Sequence, residues 1–223
     1  MQKRGLGSLT FGLPLSVFAA VTVYFGLLYF SNALDVLRHG VIVQVDGAVA
    51  RFLSGLRKPE VIQFFSIVTA FGYWGVVLAL AVMVSILLWL NQLPHYMTCL
   101  WVALAGNQIS VNLLKAIFAR PRPMLAYYGE SSFSFPSGHS AVSAAFFGFL
   151  IYLLIREKML AAGTAIAAGM LATLLIGMSR LVLEEHYLSD VLNGYLVGGL
   201  WALFGVWMQE RGRAVDDVVQ TLP

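Results

Sequence analysis

SRLVLEEHYLSD, residues Ser179 to Asp190, gathers Arg180, Glu184, Glu185, His186 and Asp190 between two long runs that carry no charge. Those runs, 159–178 and 191–208, are each about the 20 residues needed to cross a hydrocarbon core about 30 Å thick. Reading outward with the same criterion finds four more uncharged apolar stretches, at 10–31, 64–90, 96–114 and 140–155. The fourth in chain order, 140–155, is short, but Arg156, Glu157 and Lys158 close it as they would a tight crossing. Of the 223 residues, 59% are hydrophobic and 11% charged, against about 25% charged in an ordinary soluble domain. The expected fold class is therefore all-α: a six-span transmembrane helical bundle forming one integral membrane domain over 1–223, with the lipid bilayer as its solvent.

The segment 32–60 is the longest stretch that does not span. Val41, Val45, Val49, Phe52, Leu53 and Leu56 recur at helical spacing, which predicts an interfacial amphipathic helix between spans one and two, with Arg51, Arg57 and Lys58 toward headgroups. A plain connector is the alternative. Lys3 and Arg4 precede the first apolar run, but that run is too long for a signal peptide and no small-x-small cleavage site follows, so it reads as a retained helix. Cys99 is alone and allows no internal disulfide. The net charge of +3 belongs to loops and termini, and no basic run is interleaved with aromatics, which excludes a nucleic-acid partner.

Six spans put both termini on one side, with Lys3, Arg4, Arg156, Lys158, Arg211 and Arg213. The other side holds Arg38, Arg51, Arg57, Lys58, Lys115, Arg120, Arg122 and Arg180, so a raw count of positive charge runs six against eight. If the last four are held in a site the count becomes six against four, which favours cytoplasmic termini.

Three polar clusters interrupt the apolar background. KAIFARPRP, Lys115 to Pro123, ends the third span, since Pro121 and Pro123 cannot continue a helix. Alone it reads as a snorkelling cationic collar. SFPSGHSAV, Ser134 to Val142, opens the fourth span. Ser137, Gly138 and His139 fall at a helix start, where free amides and the helix dipole favour an anion, although an ordinary cap by Ser137 or Ser140 fits equally well. In the third cluster His186 and Asp190 are four apart, so on a helix they share a face and Asp190 can fix the imidazole tautomer. Alone, the first and third clusters read more simply as structural, and the second fits either reading. The six-span topology, however, brings all three to one membrane face, where three cations, a helix start and two histidines describe a phosphate site.

Lys115 with six residues before Arg122-Pro123, then Pro136-Ser137-Gly138-His139, then Ser179-Arg180 with five residues before His186 and three more before Asp190, resembles the three-part signature of the type 2 phosphatidic acid phosphatase superfamily. The resemblance implies metal-independent, cofactor-free phosphoryl transfer through a phosphohistidine. His186 would be the nucleophile, Asp190 its orienting carboxylate, and His139 the general acid and then base. Lys115, Arg122, Ser137, Gly138 and Arg180 would hold the phosphate. Two histidines acting in opposite protonation states imply a bell-shaped pH profile. The implied substrate is a membrane lipid phosphate, such as polyprenyl diphosphate, phosphatidylglycerol phosphate, phosphatidic acid or a lipid A phosphate. The implied location is a bacterial inner membrane, with the site on the periplasmic or extracellular side and the termini in the cytoplasm.

Arg120 lies outside the signature positions and reads as an accessory cation. Glu184 and Glu185 stand where members of that superfamily often carry small or neutral residues. The simplest expectation is that both face solvent. Alternatively they receive a cationic headgroup, or they pair with Arg180 or another basic side chain. Beside the site, two carboxylates would be expected to raise the pKa of His186. Two other activities compete with hydrolysis: phosphotransfer to an acceptor lipid, and binding or transport without turnover. An oriented histidine argues against the second, because binding alone needs only cations. Soluble haloperoxidases share the signature, but six apolar spans argue against them.

Overall fold

The computed structural model describes residues 40–220, with Gly26, Phe30, Ser31 and Leu34 before them, and side chains through Arg213. The span expected at 10–31 therefore lies outside the described residues, save for those isolated positions. The described chain is helical: α1 (Val41–Ser54), α2 (Pro59–Ala70), α3 (Trp74–Leu90), α4 (His95–Phe118), α5 (Gly138–Arg156), α6 (Ala162–Val182) and α7 (Leu188–Gln220). Helices α4, α5, α6 and the Leu188–Arg213 part of α7 are each long and apolar enough to cross a bilayer.

The expected single span at 64–90 is corrected to two helices. α2 and α3 meet at a bend of 47°, the form of a broken span or a re-entrant loop, so the described residues hold four helices long and apolar enough to cross, or five counting that pair as one. The cause is steric. A Cβ on Gly72, in the break, would lie 2.5 Å from Ile176 and 3.1 Å from the His139 ring, so a straight helix bearing ordinary side chains cannot pass there.

Helix α5 is the centre of the bundle and packs against α3, α4, α6 and α7. Val142, Ala145, Phe146, Phe149 and Leu153 from α5 interlock with Val77 and Ala81 of α3 and with Tyr96, Leu100 and Leu104 of α4. Against α7 the contact is made by small residues. Gly194, Gly198 and Ala202 recur every four positions and meet Ser137, Ala141 and Gly148, close enough that a Cβ on Gly198 would collide with the Ala141 carbonyl. Lipid is as apolar as leucine, so helices in a bilayer gain little from hiding apolar surface and associate through such close backbone contact.

The interfacial segment is a helix, α1, as expected, but it is docked rather than floating. Leu53 and Asp46 are buried, while Val41, Val45, Phe52 and Leu56 stay exposed. Its inward face rests on α6 and α7, with Leu53 against Leu181, Val182 and Val191. Arg51 and Lys58 are exposed as predicted, whereas Arg57 turns inward to Glu184.

The α5–α7 contact makes a direct prediction. Gly198→Ala should cost about 1–3 kcal/mol through overpacking against backbone that cannot move aside. Gly199→Ala should cost nothing, because no atom lies within 4 Å of its Cβ position. Thermal unfolding of the two variants in the same detergent distinguishes them, and equal midpoints would refute the assignment.

Candidate active site

The three clusters converge at one end of the bundle, each delivered by a different helix terminus. Helix α4 stops at Phe118 because Ala119 turns left-handed (φ 42) and the Arg-Pro-Arg-Pro run follows. Lys115, in its last turn, donates to the Phe133 carbonyl across the loop. Helix α5 starts at Gly138 with Ser137 as its cap, the Ser137 hydroxyl accepting from the Ser140 amide at 3.4 Å. The Ser137 side chain thus takes the capping role, and the amides of Gly138 and His139 fall in the first turn, where a helix has no acceptor of its own to give them.

Helix α6 ends in a full Schellman arrangement. The Glu185 amide reaches back to the Arg180 carbonyl at 2.9 Å and the Glu184 amide to Leu181 at 3.0 Å. Glu184 occupies the left-handed position (φ 53) that usually favours glycine. Its side chain compensates by pairing with Arg57, which ties the α1–α2 connector to the site.

Helix α7 begins two residues after His186, so His186 and Asp190 do not share a helix face as expected. Asp190 sits at the third helical position and folds back, accepting the Tyr187 amide at 2.9 Å as half of a capping box. That fold brings its Oδ2 to 3.4 Å from His186 Nδ1. On the other side of the ring, Nε2 faces Arg122 Nη1 at 3.2 Å. A guanidinium only donates, so Nε2 presents its lone pair and the ring proton belongs on Nδ1, toward Asp190. Loop contacts fix the clusters to one another: the Ser134 amide donates to Arg120 and the Ser137 amide to Asp190, both at 2.9 Å.

Arg180 is buried and Arg122 half-buried, and both reach Glu130 and Glu185. Arg122 also donates to the Glu185 carbonyl at 2.8 Å, and Arg180 to Thr69 Oγ1 at 2.9 Å. The expectation that Glu184 and Glu185 face solvent is overturned, since both are buried. Glu185 Oε2 lies 3.4 Å from Arg122 and 3.6 Å from Arg180, so it serves as their internal counter-ion. The expected upward pull on His186 fails for the same reason. Burial holds its imidazole well below the ordinary value, and Arg180, Arg122 and Lys115 push it further the same way. Arg120 is no loose accessory cation: it donates to Asp190 at 2.6 Å and Asp46 at 2.9 Å and lies over the Tyr187 ring at 4.1 Å.

Four participants lie outside the sequence motifs. Asp46 accepts the Ser189 amide at 2.9 Å and its hydroxyl at 2.6 Å, and so caps α7 from a distant helix. Its signal was available, because it is the one acid within the apolar-patterned stretch 41–56. Thr69 carried none. Tyr73, at the α2–α3 break, brings its ring 6.4 Å from that of His139. Glu130 bridges Arg122 and Arg180, at 2.6 and 2.8 Å. Arg57, Arg120, Arg122 and Arg180 pair with five carboxylates, Asp46, Glu130, Glu184, Glu185 and Asp190, and with Lys115, which donates to the Phe133 carbonyl, the five cations and five anions make the cluster formally neutral.

Replacing Arg120 with Met would strand two buried carboxylates, and breaking a buried pair from one side costs about 3–5 kcal/mol. The Arg120→Met protein should therefore melt well below wild type in detergent, while Arg51→Met, on the exposed face of α1, should melt like wild type. Equal melting of all three would refute the buried bridge.

Residues 96–213 match the PAP2 superfamily. The chain is 27% identical over 180 residues to phosphatidylglycerophosphatase B of Bacillus subtilis, covering 77% of this chain and 86% of that protein. It is 31% identical over 115 residues to a lipid A 1-phosphatase of Rhizobium etli, 47% of this chain and 46% of that protein. Among solved structures, the transmembrane PAP2-type phosphatidylglycerolphosphate phosphatase from Bacillus subtilis superposes with a TM-score of 0.77 at 25% identity, covering 85% of this chain and 96% of that one. Aquifex aeolicus LpxE superposes at 0.59 and 22% identity over 71% and 93%, a likeness of fold.

Proposed function

The chain belongs to the PAP2 superfamily, and from that premise we propose that it is an integral-membrane lipid phosphatase that hydrolyses a phosphomonoester or diphosphate headgroup through a phosphohistidine on His186. The observation that carries the reading is the His186 ring held between Arg122 at Nε2 and Asp190 at Nδ1. This ring is buried and oriented, and its Nε2 accepts from Arg122, whose guanidinium turns to the phosphoryl oxygens when Nε2 attacks.

In the first step Nε2 attacks phosphorus, the ester P–O bond breaks, and His139 gives a proton to the leaving oxygen. Asp190 stabilises the positive charge that develops on the His186 ring. In the second step His139 takes a proton from water, the water oxygen bonds to phosphorus, the P–N bond breaks, and inorganic phosphate leaves with His186 restored. Lys115, Arg122, Arg180 and the first amides of α5, from Gly138 and His139, hold the phosphoryl oxygens, and Ser137 holds that helix end in place. Phosphoryl transfer depends mainly on such positioning and charge stabilisation. Arg120, Glu184 and Glu185 act through other residues: Arg120 holds Asp190, and the two glutamates hold arginines.

The substrate ranked first is phosphatidylglycerol phosphate, because the relative matched over most of both chains is named for that activity. Lipid A phosphate, phosphatidic acid and polyprenyl diphosphate follow. Engagement of Lys115, Arg120, Arg122 and Arg180 in the cluster supports cytoplasmic termini and a site on the opposite face, in the charge count that excludes them.

Phosphate release by the purified protein, measured across these lipids in chelator, tests the reading. Wild type should release phosphate, and His186→Ala should lose activity about 10³-fold or more with its fold retained. Equal release from that variant would refute the phosphohistidine. The depressed pKa of His186 adds a pH prediction. The deprotonated ring is the nucleophile, so the acid limb of kcat/KM should lie below the ordinary imidazole value of about 6.5. Removing a neighbouring positive charge in Arg122→Gln raises that pKa, so the acid limb should move to higher pH while overall activity falls.

A further inference from the structure

Glu130 is a carboxylate of the cluster to which the proposed reaction gives no role. Its two oxygens accept from Arg122 Nη2 at 2.6 Å and from Arg180 Nη2 at 2.8 Å, a bridging geometry that two oxygens of a phosphate would also adopt. Both arginines already have a fully buried partner in Glu185, at longer range. Glu130 differs from it in being 35% exposed and in standing on a loop rather than at a helix end.

The loop is anchored on both sides of Glu130, with Arg122 donating to the Ser132 carbonyl and hydroxyl at 2.8 and 2.9 Å on the far side. Tyr127 donates its amide to the Leu183 carbonyl at 3.1 Å and Tyr128 donates its amide to Glu185, after which Gly129 turns left-handed (φ 60) and aims Glu130 inward. Around them Met124, Leu125, Tyr127, Tyr128 and Phe133 are exposed. A Cβ added at Gly129 would meet nothing within 4 Å, so no neighbouring atom packs against the turn at that point.

Two anions cannot hold the same guanidinium donors. Resting on the phosphatase reading above, we infer that Glu130 is a displaceable self-ligand of the phosphate seat that makes the site selective for doubly charged phosphate. With Glu130 seated the cluster is neutral, and when Glu130 swings out the cluster carries one net positive charge. A phosphomonoester carries about −1.5 to −2 charges at pH 7 and outcompetes a carboxylate for two arginines. A phosphodiester headgroup carries a single negative charge, like the carboxylate, and gains nothing by displacing it. The bilayer around the site is full of phosphodiester lipids, including the dephosphorylated product of a phosphatidylglycerol phosphate, and an unplugged cationic seat would fill with them. Glu130 thus sets a charge threshold for occupancy.

Calorimetric titration with inorganic phosphate, which needs no turnover, tests the seat directly. If Glu130 is seated about nine-tenths of the time, apparent phosphate affinity in wild type is weakened about tenfold. Glu130→Gln should then bind inorganic phosphate about tenfold more tightly, and Glu130→Ala should do the same if the glutamine variant does not accumulate. Unchanged or weaker binding overturns the self-ligand, whether or not the protein hydrolyses lipids. Selectivity is read in mixed micelles, with phosphate release from a lipid monophosphate challenged by phosphatidylglycerol. Glu130→Gln should be inhibited at about tenfold lower phosphatidylglycerol than wild type, and equal inhibition of the two overturns the charge threshold. A wild type that binds phosphate but releases none from any lipid contradicts the phosphatase reading instead, so the two failures are distinguishable.

Discussion

Arg120 lies between Asp46 on α1 and Asp190 on α7, at 2.9 and 2.6 Å, with both carboxylates buried. Two buried negative charges beside one helix start would repel one another and drive the segments apart. With the guanidinium between them they hold α1, the loop after α4 and α7 in register. Asp190 is further fixed by the Tyr187 amide, and Asp46 by Ser189, so the start of α7 is capped by its own third residue and by a residue from elsewhere in the chain. His186 takes its position from this arrangement, since its Nδ1 faces the oxygen of Asp190 that accepts the Tyr187 amide.

The rest of the cluster follows from the cost of burying charge near a bilayer. An isolated ion there is prohibitive, and a pair is tolerable only when its remaining donors and acceptors are satisfied. The chain answers that cost with two sets in which the carboxylates are paired, although Arg180 Nε keeps no hydrogen-bond partner. Arg120 with Asp46 and Asp190 forms a closed structural set beneath the nucleophile. Arg122 and Arg180 with Glu185 form an open set above it, underprovided by one negative charge until Glu130 or a ligand arrives. Glu184, outside both, has a left-handed backbone suited to glycine and an ion pair with Arg57 that offsets the strain. Catalytic positioning and anion affinity are therefore assigned to different arginines, Arg120 two residues past the end of α4 for the first, and Arg122, four past it, with Arg180 for the second.

This division explains what was legible in the residues and what was not. Apolar length predicted α4 to α7 as spans, because crossing a hydrocarbon layer is a one-dimensional constraint. The bend between α2 and α3 was not legible, because Gly72 is required there by Ile176 and His139, which lie far along the chain. Spacing brought Lys115, Arg122, His139, Arg180 and His186 to one end of the bundle. For Glu184 and Glu185 the first expectation, solvent, failed and the alternative, pairing with basic side chains, matches their ion pairs, while the partners of Arg120 depend on how three loops fold over one another. The His186–Asp190 pair was anticipated for the wrong geometric reason, a shared helix face instead of a carboxylate folded back over a helix start. Asp46 was readable as a lone acid in an apolar pattern, and Gly194 with Gly198 as a close-contact stripe. Thr69 and Glu130 had no local mark.

The stripe on α7 bears on the chemistry as well as on stability. A Cβ at Gly194 would lie 2.6 Å from the Ser137 carbonyl and 2.9 Å from Ser140 Cβ, so the first turn of α5 touches α7 through bare backbone. At that separation the Ser137 amide reaches the Asp190 carbonyl at 2.9 Å. The helix end proposed to bind phosphate and the carboxylate that faces the nucleophile are thus joined by one backbone hydrogen bond. Small-residue packing that holds two membrane helices together also fixes His139 relative to His186, the distance over which acid and nucleophile must cooperate. Widening the α5–α7 contact by one methyl would separate those groups before it unfolded the bundle, because in-line transfer tolerates far less displacement than helix association does.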